Sequence, residues 1–257
     1  MRSPALALMA SALLAGCAAH QRDLPSEGVP RELPRWATDK QTVRHELARD
    51  LLEQGNTALA LDIIRDLRKE VGDEPELDLL QGIAMRDEGL HAEADRLLSA
   101  ALSRMPRNAE AHEAMCVLRS DQKMLDEALD ACKRATELDP ELASAWNNYG
   151  FLLLSAGDLA GALDAIQHAV DLEPNEIRYR NNLGLAQAAN GKARDALRTF
   201  ASTGPRAVAH YNVGAALERF GDPVEALVHY DQALKFDPQL EPARAAVERL
   251  ASQQKEK

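Results

Sequence analysis

Aromatic residues are scarce in this chain, at 4% of its length, so its core has to be built from small and branched side chains. There are only three cysteines and no CxxC pair, which leaves nothing to serve as a dithiol redox centre. Beyond residue 16 no apolar run is long enough to cross a bilayer as a helix. Basic residues are outnumbered 30 to 41, for a formal net charge of −11, which argues against nucleic acid and against electrostatic adhesion to anionic lipid. The seven histidines show no HExxH and no paired metal spacing. A G-x-S-x-G elbow, a P-loop and a dinucleotide fingerprint are all missing as well. The reading is a protein that is not an enzyme, with no metal, no cofactor and no small-molecule substrate.

What the sequence does have is periodicity. Ala145 to Pro174 carries two amphipathic helical patterns on either side of Ala156-Gly157-Asp158. Trp146, Tyr149, Gly150 and Leu153 mark the first pattern, and Ala162, Ile166 and Ala169 the second. A small residue recurs at Ala48, Gly82, Cys116, Gly150, Gly184 and Gly214, stepping by 34 four times and then by 30. An alanine keeps the same register at Ala60, Ala94, Ala128, Ala162, Ala196 and Ala226. A turn residue follows at Gly55, Gly89, Lys123, Gly157, Gly191 and Gly221, and terminal prolines stand at Pro106, Pro140, Pro174 and Pro238.

This pattern resembles the tetratricopeptide repeat (TPR), a 34-residue helix-turn-helix unit. The resemblance implies an all-α fold, a right-handed superhelical solenoid of six hairpins. The repeats are set at 41–74, 75–108, 109–142, 143–176, 177–206 (shortened) and 207–240, with a capping helix and tail over 241–257. The loss of four residues around Ala201 to Ala207 predicts a local change of curvature, because four residues are about one helical turn. In this family the first helices line a concave groove that takes extended or helical peptides. Carried over position by position, the groove candidates are Asn147, Phe151, Arg178, Asn181, Leu185 and Tyr211. Val208 and Ala215 join them in the sixth repeat, and His45, Arg49, Glu113 and Val117 in the N-terminal repeats. Asparagine suits the task because its amide both donates and accepts. Cys116 and Cys132 lie roughly opposite each other in the third hairpin, either as a disulfide or as two small buried hydrophobes.

The N-terminus carries a second resemblance. Arg2 precedes an apolar run from Ala5 to Gly16 that is too short to span a membrane, and the run ends Leu14-Ala15-Gly16-Cys17. That ending is similar to the lipobox of bacterial lipoproteins, which implies removal of residues 1–16 and acylation of Cys17. Ala18 after the cysteine favours the outer membrane by the sorting rules of enterobacteria. An ordinary secretory signal cleaved elsewhere and a buried N-terminal helix are the other readings of this run. Residues 17–40 contain Pro25, Pro30 and Pro34 and read as a tether. At about 3 Å per residue, roughly 20 residues reach up to ~60 Å. Trp36 is expected to pack on the first helix.

Lipobox, tether and six repeats together resemble the TPR pilotin lipoproteins of type IV pili and those of tight-adherence pili. The strings that carry this likeness are NNYG at Asn147 to Gly150, RNNLGLA at Arg180 to Ala186 and AHYNVG at Ala209 to Gly214. The resemblance implies a periplasm-facing scaffold at the outer membrane that binds a protein partner, a secretin subunit or another pilus component. A TPR lipoprotein serving cell-wall synthesis, outer-membrane assembly or polysaccharide export is the alternative.

Overall fold

The computed structural model describes residues 38–255, so the signal, Cys17, Trp36 and most of the tether lie outside the described residues. Thirteen helices and no strands make up what is described. Six hairpins follow in order: α1 (Asp39–Glu53) with α2 (Thr57–Val71), α3 (Pro75–Asp87) with α4 (His91–Arg104), and α5 (Ala109–Asp121) with α6 (Leu125–Leu138). Next come α7 (Ala143–Ala156) with α8 (Leu159–Leu172), α9 (Ile177–Ala189) with α10 (Ala193–Ala201), and α11 (Arg206–Arg219) with α12 (Pro223–Phe236). A single helix, α13 (Glu241–Lys255), packs on α12 and closes the C-terminal end.

Each hairpin turns at the residue the 34-residue register marks. Gly55, Gly89, Gly157, Gly191 and Gly221 all have φ between 72° and 96°, where a side chain would be strained. Lys123 takes the same turn with φ 64° and is the only non-glycine among the described residues to do so. The second helix then starts from a side-chain cap in two of the hairpins. Asp158 accepts the Gly161 N–H at 2.9 Å, and Asp222 accepts the Glu225 N–H at 3.0 Å.

Within a hairpin the two helices close on one repeated contact. The small residue of the first helix meets a larger residue sixteen positions on, in the second helix. A Cβ added to Gly150 would lie 2.5 Å from Ile166 Cγ1, and one added to Gly214 would lie 2.8 Å from the Tyr230 ring. Gly82 with Leu98 and Gly184 with Phe200 repeat the contact. In the third hairpin the pair at this spacing is Cys116 and Cys132, joined as a disulfide with Cα atoms 5.1 Å apart. Both cysteines are buried, so the bond stands where packing alone holds the other repeats.

The four missing residues come out of the second helix of the fifth hairpin. Helix α10 has 9 residues where α8 has 14. With that helix shortened, α9 packs more extensively on α11 than other first helices pack on their successors. Phe200 at its end fills the space, buried against Gly184.

Lys123→Gly is expected to stabilise the protein by about 1 kcal/mol, since a left-handed conformation costs an L-residue about that much. A urea titration checks this. The midpoint should rise with an unchanged slope, and a fall would mean that the lysine side chain makes a contact worth more than the strain.

Candidate peptide-binding face

The first helices of successive repeats touch one another: α1 packs on α3, α3 on α5, α5 on α7, α7 on α9 and α9 on α11. Successive second helices make no comparable contact. A stack whose first helices crowd together while its second helices spread apart is curved, with the first helices on the inside. An ion pair confirms the closeness, since Arg49 of α1 reaches past α3 to the Glu110 carboxylate of α5.

A row of polar side chains ties this inner layer together. Asn148 Nδ2 donates to Glu113 Oε1 at 2.9 Å, linking α7 to α5. Asn182 Nδ2 donates to Asn147 Oδ1 at 2.8 Å, linking α9 to α7. Asn147 Nδ2 in turn reaches Asn148 Oδ1 at 3.5 Å and joins the two links. Both inter-repeat bonds span 35 residues, one repeat plus one position, so the same geometry is used twice. In the fifth repeat the equivalent amide, Asn181, accepts from Thr203 Oγ1 at 2.9 Å, in the shortened segment. Burial pushes the Glu113 carboxyl above its ordinary range, against the lowering effect of the Ser144 hydrogen bond and of the Arg178 and Arg86 charges.

Two of the groove candidates are therefore interior residues. Asn147 is only 2% exposed and its amide is engaged on both sides, so it positions α7 against α9 and does not face a partner. His45 is also 2% exposed. Its imidazole is held down to a pKa of about 4, first by burial and then by the Arg49 charge, with Glu110 and Glu76 opposing. The other candidates keep surface. Phe151, Leu185 and Tyr211 are half-buried and Arg178 is exposed, its guanidinium 5.1 Å from the Tyr179 ring centre. Asn181 is half-buried, with its carbonyl oxygen already taken by Thr203.

Phe151 and Leu185 belong to a longer stripe that runs at 34-residue spacing from Ile83 through Val117, all four half-buried. Ile83 escaped the reading of the sequence, although counting back 34 from Val117 reaches it. The resulting face is an apolar line across α3, α5, α7 and α9 bordered by charge, with Arg178 near its C-terminal half and the Arg49–Glu110 pair across its N-terminal half. Such a face offers half-buried apolar side chains flanked by charged ones. Among the described residues no group of three or more His, Cys, Asp or Glu is placed to hold a metal.

Residues 131–164 match a tetratricopeptide repeat model, and residues 207–240 match a second. The fold is a tetratricopeptide solenoid. Its first match runs from α6 into α8, and its second covers the sixth hairpin. No curated protein sequence matches the chain. Among solved structures the solenoid is similar to Pseudomonas aeruginosa PilF, with 19% identity, 80% of this chain and 95% of PilF covered, and a TM-score of 0.61. It is similar to PilW, described as a widely conserved type IV pilus biogenesis factor, with 17% identity, 82% and 100% coverage and a TM-score of 0.62. YrrB, a TPR protein with an unusual peptide-binding site, aligns at 22% identity over 72% of this chain and 97% of its own, with a TM-score of 0.57. At these identities the likeness is one of fold.

Two substitutions separate positioning from contact. Asn147→Ala breaks both of its amide links and leaves the half-buried Asn182 donor without its acceptor, at a cost of about 1–3 kcal/mol in chemical denaturation. His45 has a folded pKa of about 4 against 6.5 unfolded, so its contribution is complete above pH 6.5 and is lost as pH falls toward 4. That contribution is about 3 kcal/mol by linkage. His45→Leu, which copies the buried Leu79 of the next repeat, should flatten the stability–pH profile over this window. A variant that loses stability in parallel with the wild type would refute the assignment.

Proposed function

We propose that this chain is a lipid-anchored scaffold facing the periplasm at the bacterial outer membrane. Its concave face captures a segment of a pilus component, in the first instance a secretin subunit, and helps place it for assembly. The reading is carried by end-to-end overlap with two pilus proteins: 95% of PilF and 100% of PilW align on this solenoid. The Leu14-Ala15-Gly16-Cys17 ending supports the anchor, because acyl chains on Cys17 would supply the membrane attachment that an acidic surface does not. The Cys116–Cys132 disulfide supports an oxidising compartment such as the periplasm.

Anchoring concentrates the solenoid in two dimensions next to its target. Capture then relies on Phe151 and Leu185 for apolar side chains of the partner segment, with Arg178 beside them for a carboxylate or backbone carbonyl. Tyr211 extends the face into the sixth repeat, its ring 5.7 Å from that of Tyr230. No step of bond making or breaking is asked of the protein.

Affinity capture from detergent-solubilised envelope tests this. The wild-type chain should retrieve a secretin, and Phe151→Ala combined with Arg178→Ala should lower its recovery at least ~10-fold, the scale of losing an aromatic or arginine anchor. A secretin retained equally by the double variant keeps the function and overturns the assignment of the face. Recovery of cell-wall or outer-membrane assembly factors without a secretin overturns the pilus reading. In the same cells Cys17→Ser should abolish palmitate incorporation and membrane retention; labelling that survives would remove the anchor.

A further inference from the structure

The two borders of the apolar stripe carry the same change of charge along the solenoid. Seven positions before each stripe residue, about 10 Å back along the helix, stand Glu76, Glu110, Ser144 and Arg178 on α3, α5, α7 and α9. Four positions after it, one turn on, the row is Asp87, Asp121, Ser155 and Ala189, with Glu53 ahead of it on α1 and Arg219 behind it on α11. Both rows start acidic, are neutral at α7 and reach arginine beyond it. The first row faces inward, for the buried Glu113 carboxyl senses the charges of Glu110, Arg86 and Arg178, and His45 those of Glu76 and Glu110. Arg49 on Glu110 and Arg86 on Asp87 offset two of the five carboxylates, which leaves the N-terminal half net negative. Arg178 and Arg219 form no ion pair among the described residues. Arg178 donates to the Tyr179 hydroxyl at 3.4 Å, and the Arg219 guanidinium lies 5.5 Å from the Phe220 ring centre.

The amides on this face are already engaged. Asn182 bonds Asn147, Asn148 bonds Glu113, and Asn181 accepts from Thr203. A strand laid across them would bury backbone N–H and C=O groups without partners, whereas a helix brings its backbone already satisfied. The spacing agrees. Packed helices lie roughly 8–10 Å apart, so neighbouring stripe residues are separated by about that distance. Residues seven apart in an α-helix are about 10.5 Å apart and share one side, while alternate residues of a strand are only about 7 Å apart. Ile83, Val117, Phe151 and Leu185 thus match four successive heptad positions of a helix about 22 residues long.

We propose that the segment captured here is an amphipathic α-helix with an apolar residue at every seventh position, basic along the half over α3 and α5 and acidic along the half over α9 and α11. This rests on the inner face being the binding face, as in the proposed function, and adds the conformation and polarity of its occupant. Lysine or arginine side chains of the basic half meet Glu76, Glu110 and Asp121, and carboxylates of the acidic half meet Arg178 and Arg219. A helix of one sign is attracted at one end and repelled at the other. A helix laid in reverse is repelled at both. The face therefore selects the direction in which the segment lies as well as its composition.

Fluorescence anisotropy with the purified full-length chain in detergent tests this. The probe is a labelled alanine-based peptide of about 22 residues with leucine at every seventh position, lysines confined to one half and glutamates to the other. Its control has the same composition with the charges interspersed. The segregated peptide should bind at least ~10-fold more tightly at low salt, and the preference should shrink as salt is raised. Arg178→Glu/Arg219→Glu should weaken its binding about 10-fold and strengthen that of a peptide with lysine in both halves. Arg178→Ala/Arg219→Ala, which adds no repulsion, should lose a smaller part of the same affinity, and circular dichroism verifies that both variants keep their helices. Equal affinity for segregated and interspersed peptides overturns the proposal, as does binding of neither. A peptide with prolines in both halves that binds as tightly overturns it too, by assigning the face to an extended chain. Failure to recover a secretin from the envelope overturns the pilus reading alone, whereas absent peptide selectivity overturns the helix and its polarity alone.

Discussion

One contact, repeated with modification, holds this molecule together: a residue of minimal size on each first helix against a larger one sixteen positions later on the second. It sets the distance between the two helix axes, and every further layer inherits that distance. Glycine or alanine leaves room for Ile64, Leu98, Ile166, Phe200 and Tyr230, all buried. Their different sizes show that the second helix can vary as long as the first gives way. The third hairpin meets the same constraint by covalent means, through Cys116 and Cys132. Reduction would leave two small side chains facing each other where the other repeats have a filled gap, so this hairpin depends on redox conditions more than its neighbours do.

With hairpins of fixed thickness, the curvature comes from how their first helices stack. The Glu113–Asn148 and Asn147–Asn182 bonds pin successive first helices at one offset, and the Arg49–Glu110 pair spans two repeats at once. These bonds form on the inside of the curve, where they also shape the surface a partner would meet. Under the proposed function, positioning and recognition share one face and divide it by depth: the amides and carboxylates that tie the helices together lie below, and Phe151, Leu185 and Arg178 keep surface above. The short helix α10 disturbs this regularity once, and Thr203 takes up the carbonyl of Asn181 at that point.

The two ends of the solenoid differ in a way that bears on its use. The C-terminal end is finished by α13, reinforced where Arg249 and Tyr230 both donate to the Glu218 carboxylate. The N-terminal end leaves Val43 and Leu47 uncovered, and this is the end from which the chain runs back toward Cys17. Under the proposed anchor at Cys17, capping and anchoring would fall at opposite ends, with the inner face between them.

The sequence by itself determined the helices, the turns and the hairpin contact, because each is written within a 34-residue window: Gly157 ends a helix wherever it stands, and Gly150 admits Ile166 in any isolated hairpin. It also marked the apolar stripe, since Val117, Phe151 and Leu185 repeat in register. Only the tertiary structure decided that Asn147 and His45 lie inside and not on the face, that Arg49 pairs with Glu110, and that the shortened repeat draws α9 against α11. Those outcomes depend on the small rotation between one hairpin and the next. That rotation is set by the summed packing of two repeats, so no residue within a single repeat encodes it. The same limit applies to the first hairpin, for a stripe such as Val43 and Leu47 reads as core, and the structure leaves both exposed.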